Sequence, residues 1–147
     1  MLLTIDEITV GQTCTEVVEF TPERIAQFLR LTGDAAGIHT VPSFSRMKGF
    51  DGLVVYGLLL SVQFSTILGM QLPGENTVIG RIEMDFHAPV YIGDTVTYKA
   101  TVRRIIKSLG AVALDLEVRK KDGALCVEGK TTCVFKGSAP QPSSPEA

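Results

Sequence analysis

The chain has 147 residues, of which 45% are hydrophobic, so it has the size of one domain and enough apolar material for one packed core. Its 14 Lys and Arg residues are balanced by 16 Asp and Glu residues, for a formal net charge of −2. This composition excludes disorder for all but the chain ends, and the lack of a basic run excludes nucleic acid as an expected partner.

The three cysteines, Cys14, Cys126 and Cys133, lack metal-ligand spacing and lie far in sequence from both histidines. They predict small apolar side chains in a reducing compartment, the cytoplasm, and no metal site. Residues 1–7 contain no basic n-region, so we expect no signal peptide. Residues 53–72 are long enough to span a membrane but contain five polar side chains. They favour a buried central helix instead, with no membrane partner.

The first half of the chain predicts one strand and two helices. Residues 13–20 are rich in β-branched side chains and predict a strand. Thr21, followed by proline and glutamate, is typical of a helix start, and Gly33 of a helix end. The predicted buried stripe of this helix consists of Ile25, Phe28, Leu29 and Leu31.

An irregular or weakly helical arm is expected over residues 40–52, because prolines, glycines and charges interrupt it. The apolar helix follows over about residues 53–70 and ends before Pro73-Gly74. Gly57 and Gly69 cost helix stability relative to alanine, so we expect each to permit a close approach of another group.

The second half alternates apolar and polar residues, which predicts strands over residues 81–86, 96–103, 112–118 and up to Phe135. Glycine-containing turns, including Asp122-Gly123, join them as hairpins. The predicted fold class is α+β, with one long buried helix beside an antiparallel sheet of mainly consecutive hairpins. Residues 1–136 are expected to form a single domain, and the Pro- and Ser-rich residues 137–147 a disordered tail.

Asp34 and His39 lie five residues apart in a glycine-punctuated loop after the first helix. An aspartate and a histidine that face one another can hold and polarise a water molecule and transfer its proton. In the alternative interpretation, Asp34 only caps a turn and His39 is an ordinary loop residue. For His87, which lies on the polar side of a strand, we expect a structural or solvated role.

The order of these motifs resembles the MaoC-like branch of the hot-dog fold, the (R)-specific enoyl-CoA hydratases and 3-hydroxyacyl dehydratases. The resemblance runs from about Phe20 to Phe135. It rests on residues 28–34 (Phe-Leu-Arg-Leu-Thr-Gly-Asp) followed by His39, Gly57 with the apolar helix, Leu72-Pro73-Gly74, and residues 86–96.

The resemblance implies a hot-dog fold, a sheet wrapped around a long central helix. It also implies a homodimer whose two sheets join edge to edge, with acyl tunnels near the interface. Asp34 and His39 match the catalytic pair of the family. Ala36 and Gly37 stand where the family usually has Asn and Pro, and Tyr56 replaces a histidine before Gly57. Val62, with Ser61 beside it, stands where a serine is often found.

For this chemistry we expect Asp34 and His39 together to hold the water that adds across the C2–C3 bond; which of them is the base stays open. Backbone N–H groups around Gly57 are expected to point at the thioester carbonyl oxygen. Tyr56 either supplies a hydroxyl to the site or plugs it. The full set of expected substrate-binding residues is Tyr56, Gly57, Ala36, Gly37, Leu58 and Ser61.

The predicted function is that of an enoyl-thioester hydratase or (R)-3-hydroxyacyl-thioester dehydratase without metal or redox cofactor. Coenzyme A or phosphopantetheine would carry the acyl group, and an acyl carrier protein is a possible partner. The alternatives are a hot-dog thioesterase and a non-catalytic acyl-binding or structural subunit. Five scattered basic residues either contact coenzyme A phosphates or an acyl carrier protein, or form a solvated face. They are Arg103, Arg104, Lys107, Lys120 and Lys121.

Overall fold

The computed structural model describes residues 2–137 and places a five-stranded antiparallel sheet behind a set of short helices. The strands follow one another across the sheet in the order β1-β3-β4-β5-β2. Their bounds are β1 Thr13–Glu19, β2 Thr77–Phe86, β3 Thr95–Ile106, β4 Ala111–Lys120 and β5 Leu125–Phe135. The predicted tail, residues 137–147, lies outside the described residues apart from Gly137.

The centre of the sheet is built from the predicted consecutive hairpins β3–β4–β5. Gly110 and Gly123 turn the chain between these strands with φ angles of 59° and 89°, which side-chain-bearing residues rarely adopt. The two remaining strands are edges: β1 pairs with β3, and β2 pairs with β5. Within residues 2–137, β2 therefore has one hydrogen-bonded side and one open side.

The first helix, α1, spans Pro22–Thr32 as the capping signals predict. The Thr21 hydroxyl accepts a hydrogen bond from the backbone N–H of Arg24 at 3.3 Å, and Gly33 ends the helix with a φ of 75°. Ile25 and Phe28 are buried. Leu31 is 81% exposed, so its predicted burial is wrong: it lies one turn beyond Phe28 and lines an open apolar groove instead.

A short helix, α2 (Gly37–Thr40), leads into the predicted irregular arm, and the arm itself contains α3 (Pro42–Met47). The central helix then starts at Gly57, not at residue 53. Val54 forms a bridge with Tyr91, and the N–H of Val55 donates to the Val90 carbonyl at 2.8 Å. These strand-like bonds hold residues 53–56 extended and delay the helix by one turn.

The central helix is segmented, as α4 (Gly57–Val62), α5 (Phe64–Thr66) and a wider π-helical turn over Ile67–Gln71. Its inner face, with Leu60, Phe64 and Ile67, is buried against the sheet. The outer face of this predicted buried central helix, with Leu58 and Val62, is exposed in the single chain. No helix within the described part of the chain has the length and apolar character needed to cross a membrane.

The core lies between this helix and the inner face of β3 and β4, where the predicted alternation is confirmed. Val96, Tyr98, Ala100 and Val102 of β3 are all at most 1% exposed. The hydroxyl of Tyr98 donates a hydrogen bond to the backbone carbonyl of Leu60 at 3.0 Å, and its ring packs edge-on against Phe64. Tyr98 thus ties the central helix to the sheet.

Tyr98 makes the stability of the fold sensitive to alkaline pH. Burial raises the pKa of its hydroxyl above the ordinary value of about 10. Below that ordinary pKa the hydroxyl is protonated in both states, whereas at higher pH only the unfolded chain releases the proton, so stability falls. We expect Tyr98→Phe to be less stable at pH 7 but to lose less further stability between pH 9 and 11. Urea unfolding at several pH values tests this, and parallel pH profiles would contradict it.

Candidate active site

Asp34 lies in the loop that follows α1, directly after Gly33. Its backbone N–H donates to the Thr32 hydroxyl at 3.2 Å, and its Oδ1 accepts the N–H of Ala36 at 3.0 Å. The side chain is exposed in the single chain. The carboxylate therefore does cap a turn, but a carboxylate has about four acceptor positions and this bond occupies one. Capping and proton chemistry are compatible here.

His39 lies on α2, and the hydrogen bond of its Nδ1 defines the state of the ring. Nδ1 is 2.6 Å from the carbonyl oxygen of Val54, which can only accept a hydrogen bond. Nδ1 must therefore be the protonated nitrogen, so that in the neutral ring Nε2 is left as a proton acceptor. Val54 is itself held, since its N–H donates to the Ile38 carbonyl at 2.9 Å.

Tyr56 contacts both members of the predicted pair. Its ring stacks on the His39 ring with 4.0 Å between centroids and 29° between planes. Its hydroxyl donates to the backbone carbonyl of Asp34 at 2.7 Å. Phe28 packs against the Tyr56 ring at 4.7 Å. One aromatic side chain thus contacts both the backbone of Asp34 and the ring of His39, a placement that the sequence left open.

Ala36 and Gly37 form the start of α2, with Ala36 as its N-terminal cap residue. The hydroxyl of Thr40 donates to the carbonyls of Ala35 and Ala36, at 3.1 and 3.2 Å. A Cβ atom on Gly37 would lie 2.6 Å from the ring of Phe44, so this ring sits directly on the glycine. This contact packs α3 against α2.

Gly37→Ala is expected to destabilise the protein and lower its activity, because the methyl group would push Phe44 away and shift α3 relative to α2. Overpacking of this kind costs about 1–3 kcal/mol. Urea unfolding of Gly37→Ala and Gly37→Ala/Phe44→Ala measures the effect, and the second variant should regain part of the loss. Gly69→Ala is the matched control, because a Cβ there meets no atom within 4 Å. Equal stability of the Gly37 and Gly69 variants would contradict the prediction.

Gly57 is the first residue of α4 and lies beside His39. A Cβ on Gly57 would be 3.3 Å from the Phe86 ring, which confirms the predicted close approach; at Gly69 no such approach occurs. Gly57 and His39 line a mainly apolar cavity of about 300 Å³, closed in part by Phe50, Phe86 and the buried Cys126. This cavity is large enough for a small acyl group beside the histidine.

Leu58 and Ser61, two further predicted substrate-binding residues, lie on the outer face of α4. The Ser61 hydroxyl donates to the Gly57 carbonyl at 3.1 Å, and Leu58 is 70% exposed. Both line an open apolar groove of about 780 Å³ between the helices and β2. Phe86 lines both the groove and the cavity. Sequence reasoning missed its role, although an aromatic residue closing an alternating strand was a visible signal.

His87 also lines the cavity beside His39, whereas the scattered basic residues do not. The imidazole of His87 is 3.4 Å from the carboxylate of Glu128, a surface pair in line with the predicted structural role. Three of the basic residues named above pair with acidic side chains on the surface: Arg103 with Asp115, Lys107 with Asp6, and Lys120 with Asp94. Among residues 2–137, no three His, Cys, Asp or Glu side chains are grouped closely enough to hold a metal ion.

Comparison with known proteins decides the family. The family model described as MaoC like domain matches residues 7–121, well over half of the chain. The chain belongs to the MaoC-like domain family. The predicted family is therefore confirmed, and the match covers the whole region from the start of β1 to the end of β4.

The relatives of this MaoC-like domain carry the names of hydro-lyases. It is 31% identical to an (R)-specific enoyl-CoA hydratase from Aeromonas caviae, over 84% of this chain and 92% of the relative. It is 26% identical to a mitochondrial 3-hydroxyacyl-acyl-carrier-protein dehydratase from Solanum lycopersicum, over 95% of this chain and 84% of the relative. These names agree with the predicted reaction class, hydration and dehydration, which is confirmed at this level.

The fold is confirmed by a solved structure of an (R)-hydratase from Aeromonas caviae involved in PHA biosynthesis. It superposes on this MaoC-like domain with a TM-score of 0.83 at 29% identity, covering 88% of this chain and 98% of that one. The predicted α+β hot-dog architecture is therefore correct.

Proposed function

We propose that this MaoC-like domain adds water to trans-2-enoyl thioesters and removes it from (R)-3-hydroxyacyl thioesters. The observation that carries the proposal is that Tyr56 contacts both the Asp34 backbone and the His39 ring, next to the first residue of α4. The names of the relatives support the same reaction. The chemistry draws on the protein's own groups alone, so we propose that no metal or redox cofactor takes part.

In the hydration direction, one water molecule is held between the Asp34 carboxylate and Nε2 of His39. Because Nδ1 of His39 donates to the Val54 carbonyl, Nε2 is free to accept a proton from that water. The water oxygen bonds to C3 as its proton passes to the pair, and the pair returns one proton to C2 on the same face. Dehydration uses the same steps in reverse.

The thioester carbonyl oxygen becomes negatively charged as C3 is attacked. The first N–H groups of a helix have no partner inside that helix, so those at the start of α4 are available as donors. Gly57 presents no side chain there, which lets a thioester approach the backbone. Ala36 and Gly37 begin α2, the helix that carries His39, and the cavity beside His39 and Gly57 takes the acyl group.

We also propose that two copies join along β2 into a homodimer. Strand β2, whose outer edge is open, carries exposed apolar side chains on the face that lines the groove, among them Ile79, Ile82 and Phe86, and the outer face of α4 adds Leu58 and Val62. An uncovered edge strand next to an apolar surface invites pairing with another chain. A two-fold contact would extend the sheet across both copies and cover the groove, placing Leu58 and Ser61 at the interface.

Coenzyme A or the phosphopantetheine of an acyl carrier protein is proposed as the carrier of the acyl group. We further propose a single functional domain over residues 1–136, working in the cytoplasm; the three cysteines are all free thiols, as a reducing compartment requires. Of the alternative functions, no specific contact favours the thioesterase or the silent binder over the hydratase.

The proposal is tested by the loss of conjugated enoyl absorbance when purified protein meets trans-2-enoyl thioesters of short and medium chain. We expect turnover, with the (R)-3-hydroxyacyl thioester as product and no free thiol. Release of free thiol would replace the hydratase by a thioesterase. Tight binding of the thioester without turnover on either carrier would identify the protein as an acyl-binding subunit instead of a hydratase.

A further inference from the structure

The two catalytic candidates are held by different atoms of the same side chain. The Tyr56 hydroxyl reaches the backbone of Asp34, and the Tyr56 ring covers one face of His39. Tyr56 is 2% exposed, and Phe28 packs against its ring. The core fixes the position of Tyr56, and Tyr56 in turn fixes the positions of the Asp34 backbone and the His39 ring.

The hydroxyl of Tyr56 has a single proton, and that proton is committed to the Asp34 carbonyl oxygen. Burial, and next the nearby Asp34 carboxylate, raise the pKa of Tyr56 above its usual value, so the hydroxyl keeps its proton and remains a donor. While this bond exists, Tyr56 cannot donate to a substrate oxygen. A role in binding substrate through its hydroxyl does not fit this geometry.

We propose that Tyr56 is a positioning residue that couples the placement of Asp34 to that of His39, and not a substrate-binding residue. For its effect on turnover, this inference rests on the proposed hydratase function. The Asp34 loop is exposed to solvent, and the hydrogen bond from Tyr56 connects the backbone of this loop to the buried core. His39 has one ring nitrogen fixed by Val54 and one ring face fixed by Tyr56, so its free nitrogen points in a defined direction.

The test is Tyr56→Phe, which removes the hydroxyl and keeps the aromatic stack. Tyr98→Phe is the matched control, because Tyr98 is also buried and also donates to a backbone carbonyl, but that of Leu60 on the central helix and not that of Asp34. Small displacements of catalytic groups cost up to about a hundredfold in rate. We therefore expect kcat of Tyr56→Phe to fall by about tenfold to a hundredfold with KM nearly unchanged. In Tyr98→Phe, kcat should stay within about twofold of wild type.

Two kinetic outcomes would overturn the inference. If both variants lose the same small fraction of kcat, the hydroxyl of Tyr56 is only structural. If KM rises in Tyr56→Phe while kcat is kept, Tyr56 contacts substrate after all.

Hydrogen exchange without substrate separates this inference from the proposed function. The segment from Asp34 to His39 should exchange faster in Tyr56→Phe than in wild type, and at the wild-type rate in Tyr98→Phe. Faster exchange in a protein that does not hydrate enoyl thioesters would retain the positioning role and reject only the proposed reaction. Unchanged exchange in Tyr56→Phe would reject the positioning role.

Discussion

Replacement of Asp34 by asparagine is expected to lower kcat for enoyl-thioester hydration by about 10²–10⁴-fold, the usual range for loss of a general acid–base group. Asparagine has nearly the same shape, and its carbonyl oxygen can still accept the N–H of Ala36 that Asp34 accepts at 3.0 Å. The turn therefore survives, whereas the neutral amide can neither take up a proton nor balance the charge of a protonated His39. Decay of the enoyl absorbance measures the rate, and thermal unfolding checks the fold.

Asp122→Asn is the matched control for this substitution. Asp122 also caps a turn, accepting the N–H of Ala124 at 2.9 Å in the hairpin between β4 and β5. Its replacement changes net charge and turn chemistry in the same way, but Asp122 lies beside Lys120 and Lys121 and not in the loop that Tyr56 contacts. We expect full activity from this variant. Retention of more than a fifth of wild-type kcat by Asp34→Asn would contradict the proposed role of the carboxylate.

Replacement of Ile82 by aspartate is expected to convert the proposed homodimer into monomers. Ile82 is 42% exposed on the open edge strand β2 and lines the apolar groove beside Leu58. In a two-fold dimer each substitution occurs twice, and an unpaired charge buried at an interface costs about 3–5 kcal/mol. Association should weaken by roughly a hundredfold or more. Sedimentation or light scattering at micromolar concentration gives the mass of the particle in solution.

Val17→Asp serves as the control for Ile82→Asp. Val17 is 67% exposed and lies on β1, the strand at the opposite edge of the sheet. The substitution introduces the same charge into an edge strand of the same sheet, so any effect on dimerisation would come from charge and strand propensity alone. We expect Val17→Asp to remain dimeric. The β2 interface would be rejected if wild type were a monomer, or if Val17→Asp dissociated while Ile82→Asp did not.

Features that depend on neighbouring residues could be predicted from the sequence. The start of α1 at Thr21 and its end at Gly33 follow from capping chemistry, and the β4–β5 turn at Asp122-Gly123 follows from turn chemistry. The buried faces of β3 and β4 follow from alternation with a period of two, because these strands are central and their apolar face packs against the central helix.

Features that depend on what covers an apolar surface could not be predicted in the same way. The pattern of the central helix shows that it is apolar, but Leu60 faces the sheet while Leu58 and Val62 face outward. The same holds for Ile82 and Phe86 on β2, where regular alternation predicts a half-buried strand. Periodicity identifies an apolar face and does not tell whether the same chain or a second chain covers it.

Within the site, the sequence by itself determined which chemical groups are present: a carboxylate and an imidazole five residues apart, and a glycine at the start of the central helix. Only the tertiary structure decided how they are held. Tyr56 is 22 residues from Asp34 in sequence, and its hydroxyl meets that backbone only once α4 packs beside the loop. Stacking on His39 and the proton on Nδ1 likewise depend on chain segments distant in sequence, and no local preference encodes such contacts.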